Sequence, residues 1–111
     1  MTSVIRAGDL VAHDHPASAF WRNEQLSIRP GSARLLFLLL RDGRVSTATI
    51  LDIAPRTSGQ SNLAAVQVSQ LRHAIKTAGV PIKISRVKDD GYRLEWIGAE
   101  PRRQESWKAK R

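Results

Sequence analysis

The chain has 111 residues, the length of one domain and too short for two cores of ordinary size. Hydrophobic residues make up 41% and charged residues 25%, a globular balance that sets disorder aside; 18 Lys and Arg against 10 Asp and Glu leave a formal net charge of +8, which argues for a polyanionic partner. With no cysteine there is no disulfide, no thiolate nucleophile and no Cys-ligated metal site.

The first residues lack the basic start and apolar run of a signal peptide, and the longest apolar run, Leu35 to Leu40, falls far short of the ~20 residues of a membrane span. The expectation is a soluble, cytoplasmic (nucleoid-associated) domain. Leu10–Ala12, Ala19–Arg22 and Gln25–Ile28 are brief apolar or alternating runs, set off by Gly8-Asp9, His15-Pro16 and Asn23-Glu24. They predict a small antiparallel sheet over about 1–28. Pro30 suits the first turn of a helix, with Ser32 as an alternative cap. From Ala33 to Arg41 the chain is nearly all Leu and Phe; a buried strand would read the same way, but Pro30 ahead and Asp42-Gly43 behind favour a helix surrounded by protein.

After a short extended Arg44-Val45-Ser46, Ser46 or Thr47 caps a second helix carrying Ile50, Leu51 and Ile53 and ending before Pro55. Arg56 to Gln60 is a polar loop. A third helix is expected over about 61–78, stopped by Gly79 and Pro81, with an apolar stripe of Ala64, Val68, Leu71, Ile75 and Ala78. Its other face presents Asn62, Val66, Ser69, Gln70, His73 and Lys76. The hairpin that follows runs through Ile82–Val87, a turn at Asp89-Asp90-Gly91, and Tyr92–Ile97; the imperfect alternation of Ile82, Ile84 and Val87 suggests a bulge near Ser85-Arg86. Residues 98–111 carry five basic and two acidic side chains with no apolar period, so a flexible basic tail is expected. Its Trp107, Lys108, Lys110 and Arg111 either add non-specific affinity for nucleic acid or simply solubilise.

This order of elements is α+β: short antiparallel strands, three helices and a C-terminal hairpin wing, a winged helix-turn-helix spanning 1–97. The stretch from Gln25 to Trp96 resembles the DNA-binding effector domain of the OmpR/PhoB response-regulator family. The resemblance lies in Leu26-Ser27-Ile28-Arg29-Pro30 before Leu35-Leu36, in Gly43-Arg44-Val45-Ser46, in Val66 to Ile75, and in Gly91-Tyr92-Arg93-Leu94. Two departures stand out. The family's wing usually reads Gly-x-Gly-Tyr-Arg where this chain has Asp89-Asp90-Gly91-Tyr92-Arg93, and the recognition helix is poor in Arg. No receiver domain is expected on this chain.

The resemblance implies that the third helix enters the major groove, with Asn62, Gln67, Ser69, Gln70 and Arg72 on DNA-facing positions. Residue chemistry agrees: the amides of Gln70 and Asn62 suit adenine, Arg72 and Lys76 neutralise phosphate, and Ser69, Gln67 and His73 donate to it. The plainer reading of the same residues is the solvated side of an amphipathic helix. The wing carries Lys83, Arg86, Lys88 and Arg93. Lys88, with Arg86 beside it, takes the position the family commonly uses at the minor groove, while Asp89 and Asp90 work against phosphate contact. The plainer reading here is a hairpin whose charges keep an edge strand from aggregating.

His13-Asp14-His15 sets ligand-type residues in a row, but three consecutive residues do not converge on one ion, and neither metal nor other cofactor is expected. Scattered acidic residues, no Gly-rich phosphate loop and no nucleophile–base spacing argue against an enzyme. The function expected is a sequence-specific regulator of transcription acting on double-stranded DNA, with a homodimer on DNA compatible with it. The alternative is a protein-interaction module docking on RNA polymerase or another regulator, kept open by the Arg-poor helix and the acidic wing tip.

Overall fold

The computed structural model describes residues 3–14, 17–53, 63–87, 91–98, 101 and 103–107. In chain order these form β1 (Ser3–Ala7), β2 (Leu10–Asp14), β3 (Ala17–Trp21), β4 (Glu24–Gln25), α1 (Pro30–Asp42), β5 (Arg44–Val45), α2 (Thr47–Ile53), α3 (Leu63–Ala78), β6 (Ile82–Arg86), β7 (Tyr92–Trp96) and β8 (Arg103–Trp107). His15-Pro16, the loop 56–60, Asn62, Lys88, the turn residues Asp89-Asp90 and residues 108–111 lie outside the described residues. The architecture is α+β, with three helices and two antiparallel sheets. No helix among the described residues is long and apolar enough to cross a membrane.

The first sheet runs β4-β3-β2-β1-β8. Alternation turns Ile5, Ala7, Leu10, Ala12 and Ala19 inward, where they are buried, and the alanines leave room for a helix to lie close. The third expected strand stops after Gln25, because Leu26 folds into the core and donates its N–H to the Ala19 carbonyl at 2.9 Å. Two strands lie beyond the predicted set. β1 alternates correctly, but its buried positions are Ser3, Ile5 and Ala7, a weak apolar signal. β8 corrects the expected flexible tail: Arg103–Trp107 pairs antiparallel with β1, from Ala7↔Arg103 to Ser3↔Trp107. A strand edge of unpaired N–H and C=O groups recruits partners through backbone bonds, so a polar segment with no apolar period satisfies it.

α1 is the centre. Pro30 occupies its first position behind an extended Arg29, and Gly43 closes it in the left-handed region (φ 82°), donating to the Leu39 carbonyl at 2.8 Å. Ser32 is not a cap; it is fully buried, and so are Leu35, Leu36 and Leu39. α1 packs against β1, β2 and β3 on one side and against α2, α3, β5 and β7 on the other. Ser46 caps α2, accepting from the Thr49 N–H at 3.2 Å, and Ile50 is buried beneath it. α3 ends where Val80 donates to the Ile75 carbonyl at 2.9 Å and Gly79 to that of Lys76 at 3.2 Å, a glycine-closed terminus.

The second sheet runs β5-β7-β6. Its hairpin is in step from Ile82↔Trp96 to Arg86↔Tyr92, so the expected bulge at Ser85-Arg86 is absent. Val87 breaks the alternation because it lies past the strand, already turning to donate to the Gly91 carbonyl at 2.9 Å. Gly91 does two jobs. Its φ is +99°, and a Cβ there would run into the Val45 carbonyl oxygen and stand 2.8 Å from the Ser46 Cα. The hairpin therefore closes on β5 only through a residue with no side chain. Gly43 has a similar φ (+82°) but open space around it. Gly43→Ala should cost about 1 kcal/mol, the left-handed penalty alone, and Gly91→Ala clearly more because β5 must move as well. Denaturant midpoints of the two variants check this; equal losses would remove the close approach as a constraint.

Candidate nucleic-acid interface

α3 buries Val68, Leu71 and Ile75 and leaves Ser69, Gln70, Arg72, His73 and Lys76 exposed, with Val66 half-buried among them. Of the residues singled out on this helix, Gln67 is the correction. It is 4% exposed, and the fully buried Ser32 hydroxyl donates to its Oε1 at 3.1 Å. The spacing explains why: Gln67 lies three residues after Ala64 and four before Leu71, on the same row as the apolar stripe. Gly31, Ser32 and Ala33 are all buried at that crossing, so the first turn of α1 presents only small residues to α3. A buried amide and a buried hydroxyl answer each other there.

The exposed residues border two clefts. Gln70, Ser69 and His73 border a surface cleft of about 420 Å³ whose other wall is Ser27, Ile28 and Arg29. Arg29 was not among the residues expected at the site. It is the exposed residue immediately before α1, so an extra cation stands beside the amide and imidazole of α3. Its sequence signal was only its position before Pro30.

On the opposite flank, Arg72 and Lys76 border the groove between α3 and β6. Arg72 reaches across it. Its Nε and one terminal nitrogen donate to the Ile84 carbonyl at 3.1 and 2.7 Å, and its guanidinium carbon stands 5.9 Å from the Tyr92 ring centre. The hairpin pairs Val87 with Gly91 and Pro81 with Ile97 through backbone bonds, so by alternation the Ile84 carbonyl points to the free edge of β6. Arg72 therefore caps an open strand edge and fixes the distance between α3 and the hairpin. Part of its donor set is engaged inside the protein.

The hairpin cations divide between two faces. Arg86 lies opposite Tyr92, on the side turned toward α3, and is exposed at the strand's end. Arg93 lies opposite Ser85 and Arg44 on the outer side, where it donates to Glu95 at 2.9 Å. The Glu95 carboxyl is held below its ordinary value, first by the Ser85 hydroxyl, which donates at 2.9 Å, and next by the Arg93 charge, with Lys83 adding to it. It is ionised at neutral pH and masks part of the Arg93 charge. Asn62 and Lys88, expected at the interface, lie outside the described residues.

Neither a protein-family model nor a curated protein matches this chain. The candidate interface rests on its own chemistry. Elsewhere, His13 meets Phe20 edge-on at 5.6 Å and Asp14 pairs with Arg34 at 3.4 Å, so both take part in contacts within the fold.

The Ser32–Gln67 pair yields a clean test of the correction. Gln67→Ala should lose about 1 kcal/mol of stability by removing the closer of the Ser32 hydroxyl's two acceptors, the Gln67 backbone carbonyl at 3.5 Å remaining, and Ser32→Ala with Gln67→Leu should be closer to neutral. A double-mutant cycle by urea denaturation measures the coupling. Additive losses would return Gln67 to the surface.

Proposed function

We propose that this chain is a winged helix-turn-helix domain of the OmpR/PhoB kind that binds duplex DNA sequence-specifically and regulates transcription by occupying its site. The observation that carries this reading is the exposed polar and cationic face of α3 (Ser69, Gln70, His73, Lys76), braced by Arg72 against a basic hairpin and flanked by Arg29. In this reading α2 and α3 are the two helices of the motif, α3 lies in the major groove, and Gln70 reads a base edge. Lys76, Arg29 and Arg86 neutralise phosphates, and Lys88 would enter the adjacent minor groove. Arg72 acts as the brace that keeps helix and hairpin at one spacing. The role is occupancy of a cytoplasmic, nucleoid-associated site, and no step of it is chemical.

Selection of bound sequences from a random duplex pool tests the reading directly. An enriched motif is expected, whereas a module that docks on RNA polymerase gives none. Log K should fall with log salt at about −0.9 per contacted phosphate, for something like four to seven contacts. Gln70→Ala should relax the motif and cost about 1–3 kcal/mol on the best site while leaving random DNA alone; Lys76→Ala should weaken both equally. A salt-independent affinity, or identical losses for the two variants on both DNAs, would sink the assignment.

A further inference from the structure

The three-stranded sheet has a second face that the reading above leaves unused. Its composition follows from register: Arg44 lies opposite Arg93, Arg93 opposite Ser85, and Glu95 opposite Lys83, so these five side chains share one side. The other side carries Val45, Ile82, Ile84 and Tyr92, all buried. The cationic side therefore looks away from the helices. Arg44, Lys83 and Arg93 are exposed, and Glu95 is this face's one carboxylate among the described residues. Three cations against one carboxylate leave a net positive face.

Arg44 and Arg93 are direct cross-strand neighbours. Like charges at that spacing, about 5 Å between Cβ atoms, repel and weaken the pairing of β5 with β7. An anion placed between the two guanidinium groups relieves the repulsion and takes parallel N–H donors from both. The five side chains that the register places on this face are all polar or charged. What suits a net positive polar face of this kind is a polymer with negative charge at regular intervals and no requirement for side-chain readout.

We infer that this outer face binds the phosphodiester backbone of a second DNA segment. This side of the sheet is opposite the one that packs toward the helices, so the segment held there is a different one from a duplex lying on α3. The inference rests on the proposed binding of a first duplex by α3. Its chemistry is purely electrostatic: it predicts no sequence preference at this face and a steep response to salt.

The test holds one short random-sequence duplex on beads, adds the protein, and measures how much of a second, labelled duplex is captured. The wild-type chain should capture it. Arg44→Thr with Lys83→Thr should cut capture about tenfold and lower the salt slope of capture by about 0.9 for each lost contact, with affinity for a single duplex in solution unchanged. Arg44→Lys should retain capture. Arg44→Thr alone should raise the melting temperature of the free protein, because the repulsion goes and a β-branched residue enters the strand. A melting temperature of the double variant no lower than that of the wild-type chain shows that lost capture does not come from lost folding. A chain that is not retained on the bead duplex overturns the α3 reading and this inference with it; a retained chain that captures nothing overturns the inference alone, and so does undiminished capture by the double variant. Capture that survives the double variant and tracks a sedimenting dimer reassigns bridging to self-association, which overturns it too. If Gln70→Ala changes no base preference while the double variant abolishes capture, the base-reading role of Gln70 fails and this face stands.

Discussion

A helix as apolar as α1 must be covered on nearly every side, and that requirement places the rest of the molecule. Only its two ends and the strip through Arg34, Leu38 and Arg41 reach the surface. The five-stranded sheet covers one flank, and α2, α3 and the β5–β7 pair cover the other. Because α3 gives Val68, Leu71 and Ile75 to the core, and Gln67 to a bond with Ser32, what remains for an external partner is a narrow band of polar side chains. The face offered outward is the remainder of a packing problem solved inward.

The second organising fact is how the cations are used. A count of basic residues treats them as interchangeable, but their surroundings differ. Arg72 spends two donors on a strand-edge carbonyl, Arg93 is tied to Glu95, and Arg41 is paired with Asp42 at 2.9 Å. Surface pairs of this kind contribute little stability, on the order of 0–1 kcal/mol, but they lower the charge available to a polyanion. Arg29, Lys76 and Arg86 are exposed on the side of α3, whereas Arg44 and Lys83 are exposed on the outer side of the hairpin. Charge and geometry together place these five cations in two separate regions.

The parts of this fold legible in the sequence were those with local signals. Pro30 and Gly43 bracket α1, Gly79 ends α3, and the 82–97 hairpin follows from two runs around a glycine. What escaped needed information from outside the segment. β8 has no apolar period of its own because its partner, β1, lies at the far end of the chain. The bulge was inferred from Val87, whose place past the strand only the register shows. At the candidate site the exposed face of α3 was readable from period alone, and it was the family resemblance that put Gln67 on a DNA-facing position although its spacing matches the buried row. Arg72 was equally misleading: nothing local reveals that Ile84, twelve residues on, supplies a carbonyl for it.

The junction of β1 with β8 sets an order of assembly. Its register joins Ser3 to Trp107, nearly the full contour of the chain. The entropy of closing so long a loop grows as the logarithm of its length and is paid before any of its bonds form. Contacts that remote arise after helices and hairpins have settled, so β8 is a rib laid down late on a finished frame. Held along one side only, at the end of the β4-β3-β2-β1-β8 row, it is also positioned to leave first. The domain thus has an outermost strand hydrogen-bonded to β1 alone, and its opening is what native-state hydrogen exchange at residues 103–107 would register ahead of global unfolding.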